Sequence, residues 1–188
     1  MSFYRERVLP GLIDKLCSAS PNQKQRQKIV PLAEGTVLEV GFGSGLNLPF
    51  YRAEKVRKLW GLEPSAGMRA RAEPLVTASP IDVELIELPG EEIPLEKESI
   101  DTVLVTYSLC TIPDAVKALQ GMRRVLKPGG RLLYCEHGLA PDRNVVRWQN
   151  RLNPAWRKVA GGCETVSYTH LTLPTITSGC RCGWGGGG

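Results

Sequence analysis

Four things are missing from this 188-residue chain, and each absence excludes a class of protein. No window holds the roughly 18 apolar residues that a membrane-spanning helix needs. No long apolar core follows Met1, since Phe3-Tyr4-Arg5-Glu6-Arg7 is broken by charge, so no secretory leader is expected and a cytoplasmic protein is. Basic residues give a net charge of +5 but never gather in one run. Nucleic acid is therefore not an expected partner, although a weak attraction to an anionic membrane surface or to acidic substrates is compatible with the charge. The six cysteines, at 17, 110, 135, 163, 180 and 182, form no metal-binding pattern. Cys180 and Cys182 stand one residue apart with His170 distant, so no metal is expected and reduced thiols are the default. What is present, 42% hydrophobic and 23% charged residues, describes one globular domain with a sizeable core.

The chain is organised around Thr36-Val37-Leu38-Glu39-Val40-Gly41-Phe42-Gly43-Ser44-Gly45-Leu46-Asn47. Thr36–Val40 is a short β-forming run, the expected first strand. Gly41, Gly43 and Gly45 then remove side chains where a backbone must turn sharply and approach a ligand. A dinucleotide fingerprint reads G-x-G-x-x-G and faces a pyrophosphate. Here Glu39 leads a Glu-x-Gly-x-Gly-x-Gly loop, and an acid beside the loop repels phosphate and attracts an amino group or a cation. S-adenosylmethionine carries an α-amino group and a sulfonium and no phosphate, so the loop suits that cofactor better than NAD. The bland alternative is a tight strand–helix turn that binds nothing.

The remaining segments alternate in the manner of a parallel sheet. Helices are expected over Tyr4–Ser18 and Asn22–Leu32, then a helix from Leu46 with Pro49 in its first turn. Lys58–Leu62 is the second strand and ends in Glu63, 18 residues beyond Gly45 and close to the ~20-residue offset at which an acid takes a ribose diol. The alternative for Glu63 is a solvated acid at a strand end. Ser65 suits an N-cap for the following helix. Ile81–Leu88 and Ile100–Thr106 are strands three and four, with Asp101 the lone charge of strand four. Pro113–Leu126 is a helix with Val116, Leu119, Met122, Val125 and Leu126 on one side. Lys127-Pro128-Gly129-Gly130 is a turn. Arg131–Cys135 is strand five, ending in Glu136-His137, and Asn144–Val159 is a last amphipathic helix.

With Trp60-Gly61-Leu62-Glu63-Pro64-Ser65, Ile100-Asp101-Thr102-Val103 and Val125–Leu133 added to the glycine stretch in this order, residues 3–163 resemble the class I S-adenosylmethionine-dependent methyltransferases. The nearest likeness is to small-molecule enzymes of the ubiquinone/menaquinone-pathway and methyltransferase-like groups. The resemblance implies a Rossmann-like, doubly wound, mostly parallel α/β sheet and methyl transfer to a small-molecule acceptor by direct displacement. It places Glu39, Gly41, Gly43 and Gly45 at the amino-acid end of S-adenosylmethionine, Glu63 at the ribose, and Met68, Gly90 and Glu91 at the adenine, with core packing an equal reading for Met68. The loop from Thr106 to Ile112 lines the acceptor space, and Tyr107 and His137 are the candidates to orient an acceptor. His137 is either a base near neutral pH or a structural histidine. No Asn-Pro-Pro-Tyr or Asp-Pro-Pro-Tyr motif marks amino-group methylation of bases. Rival expectations are a cofactor-binding domain without catalysis and an NAD-dependent oxidoreductase. Spacing and charge distinguish neither O, N, S and C acceptors nor an oligomeric state.

One domain is expected over 1–163, with N-terminal helices to residue 34 and a core from 35 to 163. From Glu164 the composition changes, and Glu164 and Arg181 are the only formal charges before the terminal glycines. Seven strands belong to the resembling fold and five are readable, so the C-terminal pair is expected to be missing or abnormal. The expectation is that residues 164–188 are non-native sequence from a frameshift or read-through. Intact mass together with sequencing of the gene locus tests this, and a continuous genomic frame through Gly188 overturns it.

Overall fold

The computed structural model describes residues 17–136 together with Gly11, Asp14 and Arg151. His137, most of the first expected helix, the helix expected over Asn144–Val159 and the tail lie outside the described residues. Within them, five strands form one parallel sheet in the order β3-β2-β1-β4-β5: β1 Gly35–Val40, β2 Val56–Leu62, β3 Val83–Ile86, β4 Ile100–Thr106 and β5 Leu126–Cys135. The helices are α1 Ser20–Ile29, α2 Ala66–Thr77 and α3 Ala115–Val125. This is the doubly wound α/β class that the sequence predicts. Among the described residues no helix is long and apolar enough to cross a membrane.

Strand parity sorts the core into two layers. Val37, Leu59, Leu104, Leu133 and Cys135 face one side, where they meet Ile29 and Val30 of the N-terminal segment, Leu48, Tyr51 and Ala72. Leu38, Val40, Leu62, Val103 and Val105 face the other and meet α3 through Ala118, Leu119, Met122 and Val125. Both faces of the central strands are covered, so these strands read as near-continuous apolar runs. Val116, placed by spacing on the apolar side of α3, is exposed, and Ala118 takes the buried position.

Three elements differ from the sequence expectation. No α-helix follows the glycine loop; Leu48–Phe50 forms one 3₁₀ turn instead. Ten residues separate Gly45 from Val56, too few for a crossover helix and its return. Lys127-Pro128-Gly129-Gly130 does not precede strand five but lies within it. The pairing with β4 slips between Ile100 and Thr102, and Gly129, at φ 80°, absorbs the slip as a bulge. Strand three is shorter than Ile81–Leu88, because only Val83–Ile86 reach β2 for pairing.

The ends of the strands opposite the glycine loop are tied by charge. Asp101 accepts from Thr36 N at 2.8 Å, Arg57 at 2.9 Å and Lys127 at 2.7 Å. Partial burial pushes its carboxyl up, but the three donors outweigh that and hold it below the usual range. Gly35 enters β1 at φ 74°, and a methyl there would run into the Asp101 carboxylate. Gly35→Ala should therefore cost about 2 kcal/mol or more in urea denaturation, from positive φ and displaced Asp101 together. An unchanged midpoint would show that this corner of the sheet relaxes freely.

Candidate active site

β2 and β3 add on one side of β1 and β4 and β5 on the other, so β1 and β4 are neighbours across the point where the winding reverses. Ligands of open α/β sheets bind in the crevice outside the carboxyl ends of such strands. Here that crevice is bounded by Val40-Gly41 and Thr106-Tyr107. Gly41 N and Phe42 N both donate to Leu62 O, at 2.9 and 3.0 Å, and pin the start of the glycine loop to the end of β2. Gly41 sits at φ 76°, and a side chain on it would collide with Ser108. The loops after β1 and β4 thus close on each other with only a glycine between them. Gly43, at φ 60°, lies under the Met68 methyl, 3.5 Å from where its own Cβ would stand.

Beneath the loop is a buried polar network on the α1 side of the sheet. Glu39, 1% exposed, accepts from Asn47 Nδ2 at 2.8 Å and from the Tyr51 hydroxyl at 2.7 Å. Arg26 reaches in from α1, 4% exposed, and donates to Asn47 Oδ1 at 2.8 Å and Thr106 Oγ1 at 3.0 Å. Its guanidinium lies 5.1 Å from the centre of the Tyr107 ring. Burial pushes the Glu39 carboxyl up to about 7; the bonds from Tyr51 and Asn47 and the nearby Arg26 charge pull against it. Glu39 therefore holds the loop from below, with both oxygens occupied.

The carboxylate of Glu63 lies at the end of β2, where Oε2 accepts from Gly43 N and Oε1 from Ser65 N, each at 2.9 Å. Burial raises its carboxyl, and those two backbone donors oppose the rise. Ser65 caps α2 as the sequence predicts, accepting from Met68 N at 3.4 Å. Gly90 is buried against Val40 and Ile112, so a methyl there would meet Ile112 at 2.7 Å. Glu91 Oε1 accepts from Asp114 N at 3.1 Å, while its Oε2 is buried with no partner. The predicted cofactor residues Gly41, Gly43, Glu63 and Met68 are thus contiguous, with Gly90 and Glu91 along the same edge after β3.

Tyr107, one of the two residues expected to orient an acceptor, is fixed by its surroundings. Its backbone is at φ 56°, its N–H donates to Cys135 O at 2.8 Å, and its hydroxyl accepts from Cys135 Sγ at 3.3 Å. Its ring packs on the core of the α1 side. The sequence reading gave no role to Arg26, Asn47 and Glu136, and took Ser108 only as part of the acceptor loop. Glu136 was legible by the rule that found Glu63, an acid directly after a strand. Its Oε1 accepts from Ser108 N at 2.8 Å and Leu109 N at 3.0 Å. No group of three or more metal-ligating side chains occurs among the described residues.

Residues 38–134 match the family model described as a methyltransferase domain. The chain is 33% identical over 150 residues to thiol S-methyltransferase TMT1B of Rattus norvegicus, covering 76% of this chain and 57% of that protein. It is 32% identical over 142 residues to demethylmenaquinone methyltransferase of Listeria monocytogenes, covering 73% and 58%. The chain thus spans less than two thirds of the length of these curated relatives. In fold it is similar to the crystal structure of an S-adenosylmethionine-dependent methyltransferase from Thermotoga maritima, with a TM-score of 0.60 at 23% identity over 86% of this chain and 73% of that one.

The buried Glu39 makes stability depend on pH with a definite sign. Its folded-state pKa of about 7 lies above the ordinary 4.5. Its contribution is therefore complete below pH 4.5 and is lost as pH rises to about 7. The swing is on the order of 3 kcal/mol. Denaturation at about pH 5 and about pH 8 should show wild type losing roughly 2 to 3 kcal/mol more than Glu39→Gln across the interval. Equal losses in the two proteins would mean that Glu39 is ionised throughout.

Proposed function

Since the chain belongs to the methyltransferase-domain family, of the class I S-adenosylmethionine-dependent type, we propose that it transfers the methyl group of that cofactor to a small-molecule acceptor by direct displacement, with a thiol as the acceptor class. The observation that carries this reading is the surroundings of the glycine loop. Three positive-φ glycines lie between the carboxylates of Glu39 and Glu63, and the loop leads into a 3₁₀ turn rather than an α-helix. A pyrophosphate needs the N-terminal dipole of a helix, and two acids beside it are repulsive. An ammonium and a sulfonium meet the opposite situation. The same geometry disfavours the NAD-dependent rival. The thiol class is taken from the name of the mammalian relative.

Bound cofactor supplies a methyl group already activated on a sulfonium. The protein's work is then to hold nucleophile and carbon in line and to exclude water. Gly41, Gly43 and Gly45 let the backbone approach the amino-acid end. Glu63 would offer its carboxylate to a diol, since each oxygen takes one backbone N–H, from Gly43 or Ser65, and keeps a lone pair for a hydroxyl. Glu91 Oε2, buried and unpartnered, suits the exocyclic amino group of adenine. Met68 lies over Gly43 and presents an apolar side chain beside it.

Calorimetric titration of S-adenosylhomocysteine into wild type and Glu63→Ala tests the cofactor site, and methylation of a panel of thiols tests the acceptor class. Loss of a charge-assisted pair should weaken binding on the order of 10- to 100-fold in the variant. Binding of NADH in place of S-adenosylhomocysteine would restore the oxidoreductase reading. Product binding without methylation of any thiol would overturn the acceptor class.

A further inference from the structure

Glu136 uses only half of its carboxylate. Oε1 accepts from two consecutive backbone N–H groups, Ser108 and Leu109, and fixes the turn that follows β4. Oε2 is buried and meets no donor, and the residue is 9% exposed. A glutamine would hold the same two N–H groups through its carbonyl without burying a charge. Holding the turn therefore does not explain a carboxylate, whose second oxygen carries an uncompensated desolvation cost.

Position supplies an explanation. Ser108, gripped by Glu136, donates its hydroxyl to Val40 O at 2.8 Å and is the residue against which Gly41 closes. The Glu136 carboxylate is thus one residue removed from the first glycine of the cofactor loop, at the carboxyl ends of β4 and β5. Burial pushes its carboxyl up to about 7, against the pull of the two backbone donors, and no charged side chain among the described residues contributes to that balance. A base of that strength is well matched to a thiol of about 8.5.

We propose that Glu136 is the base of the transfer, its Oε2 accepting the proton of the acceptor thiol. The inference rests on the methyltransferase reading with a thiol acceptor. The S–H bond breaks, leaving its electron pair on sulfur and its proton on Oε2. The thiolate sulfur bonds to the methyl carbon as the bond from that carbon to the sulfonium breaks, and the electron pair of the broken bond stays with the departing thioether. Glu136 then releases its proton to solvent, so one thiol and one sulfonium give two thioethers and one proton.

The test compares wild type with Glu136→Gln on thiols of graded acidity, from alkyl thiols to electron-poor aryl thiols already ionised at neutral pH. The variant should bind S-adenosylhomocysteine within about twofold of wild type yet lose roughly 10²- to 10⁴-fold in kcat/KM with alkyl thiols. With pre-ionised thiols the loss should vanish. A readout independent of turnover is the affinity of an alkyl thiol for the complex with S-adenosylhomocysteine, which should fall in wild type as pH drops through about 7 and the Oε2 acceptor is protonated, and stay flat in the variant. Equal losses across the series, or the same pH dependence of thiol binding in both proteins, would overturn the proposal while leaving the methyltransferase reading intact. A wild type that binds product but methylates no thiol fails the acceptor reading, and the base falls with it. Should Glu136→Gln fail to bind product, wild type alone decides. Its alkyl-thiol rate must climb through an ionisation near 7 that pre-ionised thiols do not show, and a flat profile overturns the assignment.

Discussion

A carboxylate sealed inside the protein holds the ligand loop in place. Glu39 receives Asn47 on one oxygen and Tyr51 on the other, and Asn47 passes the connection to Arg26 and Thr106. Five side chains from β1, the loop, the segment after it, α1 and β4 are thereby bonded to one another out of water, with Arg26 Nε left without a partner among the described residues. In such surroundings each bond is electrostatically stronger than it would be in water, and each missing partner is costly. The glycines confer conformational freedom, and this network removes most of it again. The loop is flexible in composition and fixed in position.

The sheet was legible because its signals are local. Short apolar runs bounded by Gly, Pro and charge specify strands, and the glycines together with Glu63 mark the ligand edge by spacing alone. What was not legible depends on partners far away in sequence. Arg26 sits among exposed polar residues in α1 and looks like one more solvated cation until it is seen to meet Asn47 and Thr106, 21 and 80 residues away. Pro49 suggests a first helical turn, yet the helix is excluded by the length of the connection to β2. Lys127–Gly130 has turn composition, and only pairing with β4 shows that the bend is a bulge inside a strand. At the end of β5, composition points to the histidine of Glu136-His137, whereas the described geometry belongs to the glutamate.

Carboxylates recur along the ligand edge: Glu39 within β1, Glu63 after β2, Glu91 beyond β3 and Glu136 after β5. They are held in three ways. Glu39 is engaged by side chains on both oxygens, Glu63 by backbone on both, and Glu91 and Glu136 by backbone on one oxygen only. Glu39, sealed beneath the loop, shapes it; Glu63, Glu91 and Glu136 keep acceptor capacity for a ligand's donors. One residue type thus serves as scaffold or as chemistry according to where the fold places it.

The position of α1 bears on where the unit of folding begins. The family model starts at residue 38, yet the α1 face of the sheet is closed by Ile29 and Val30, and the loop network is completed by Arg26. The segment after the glycine loop is too short to cover that face, so the N-terminal helix occupies space that a crossover helix would otherwise fill. A fragment excised at the family boundary would bare an apolar surface and strip Asn47 and Thr106 of their cation. The packed unit therefore includes α1 from Ser20, well upstream of the segment that sequence similarity delimits.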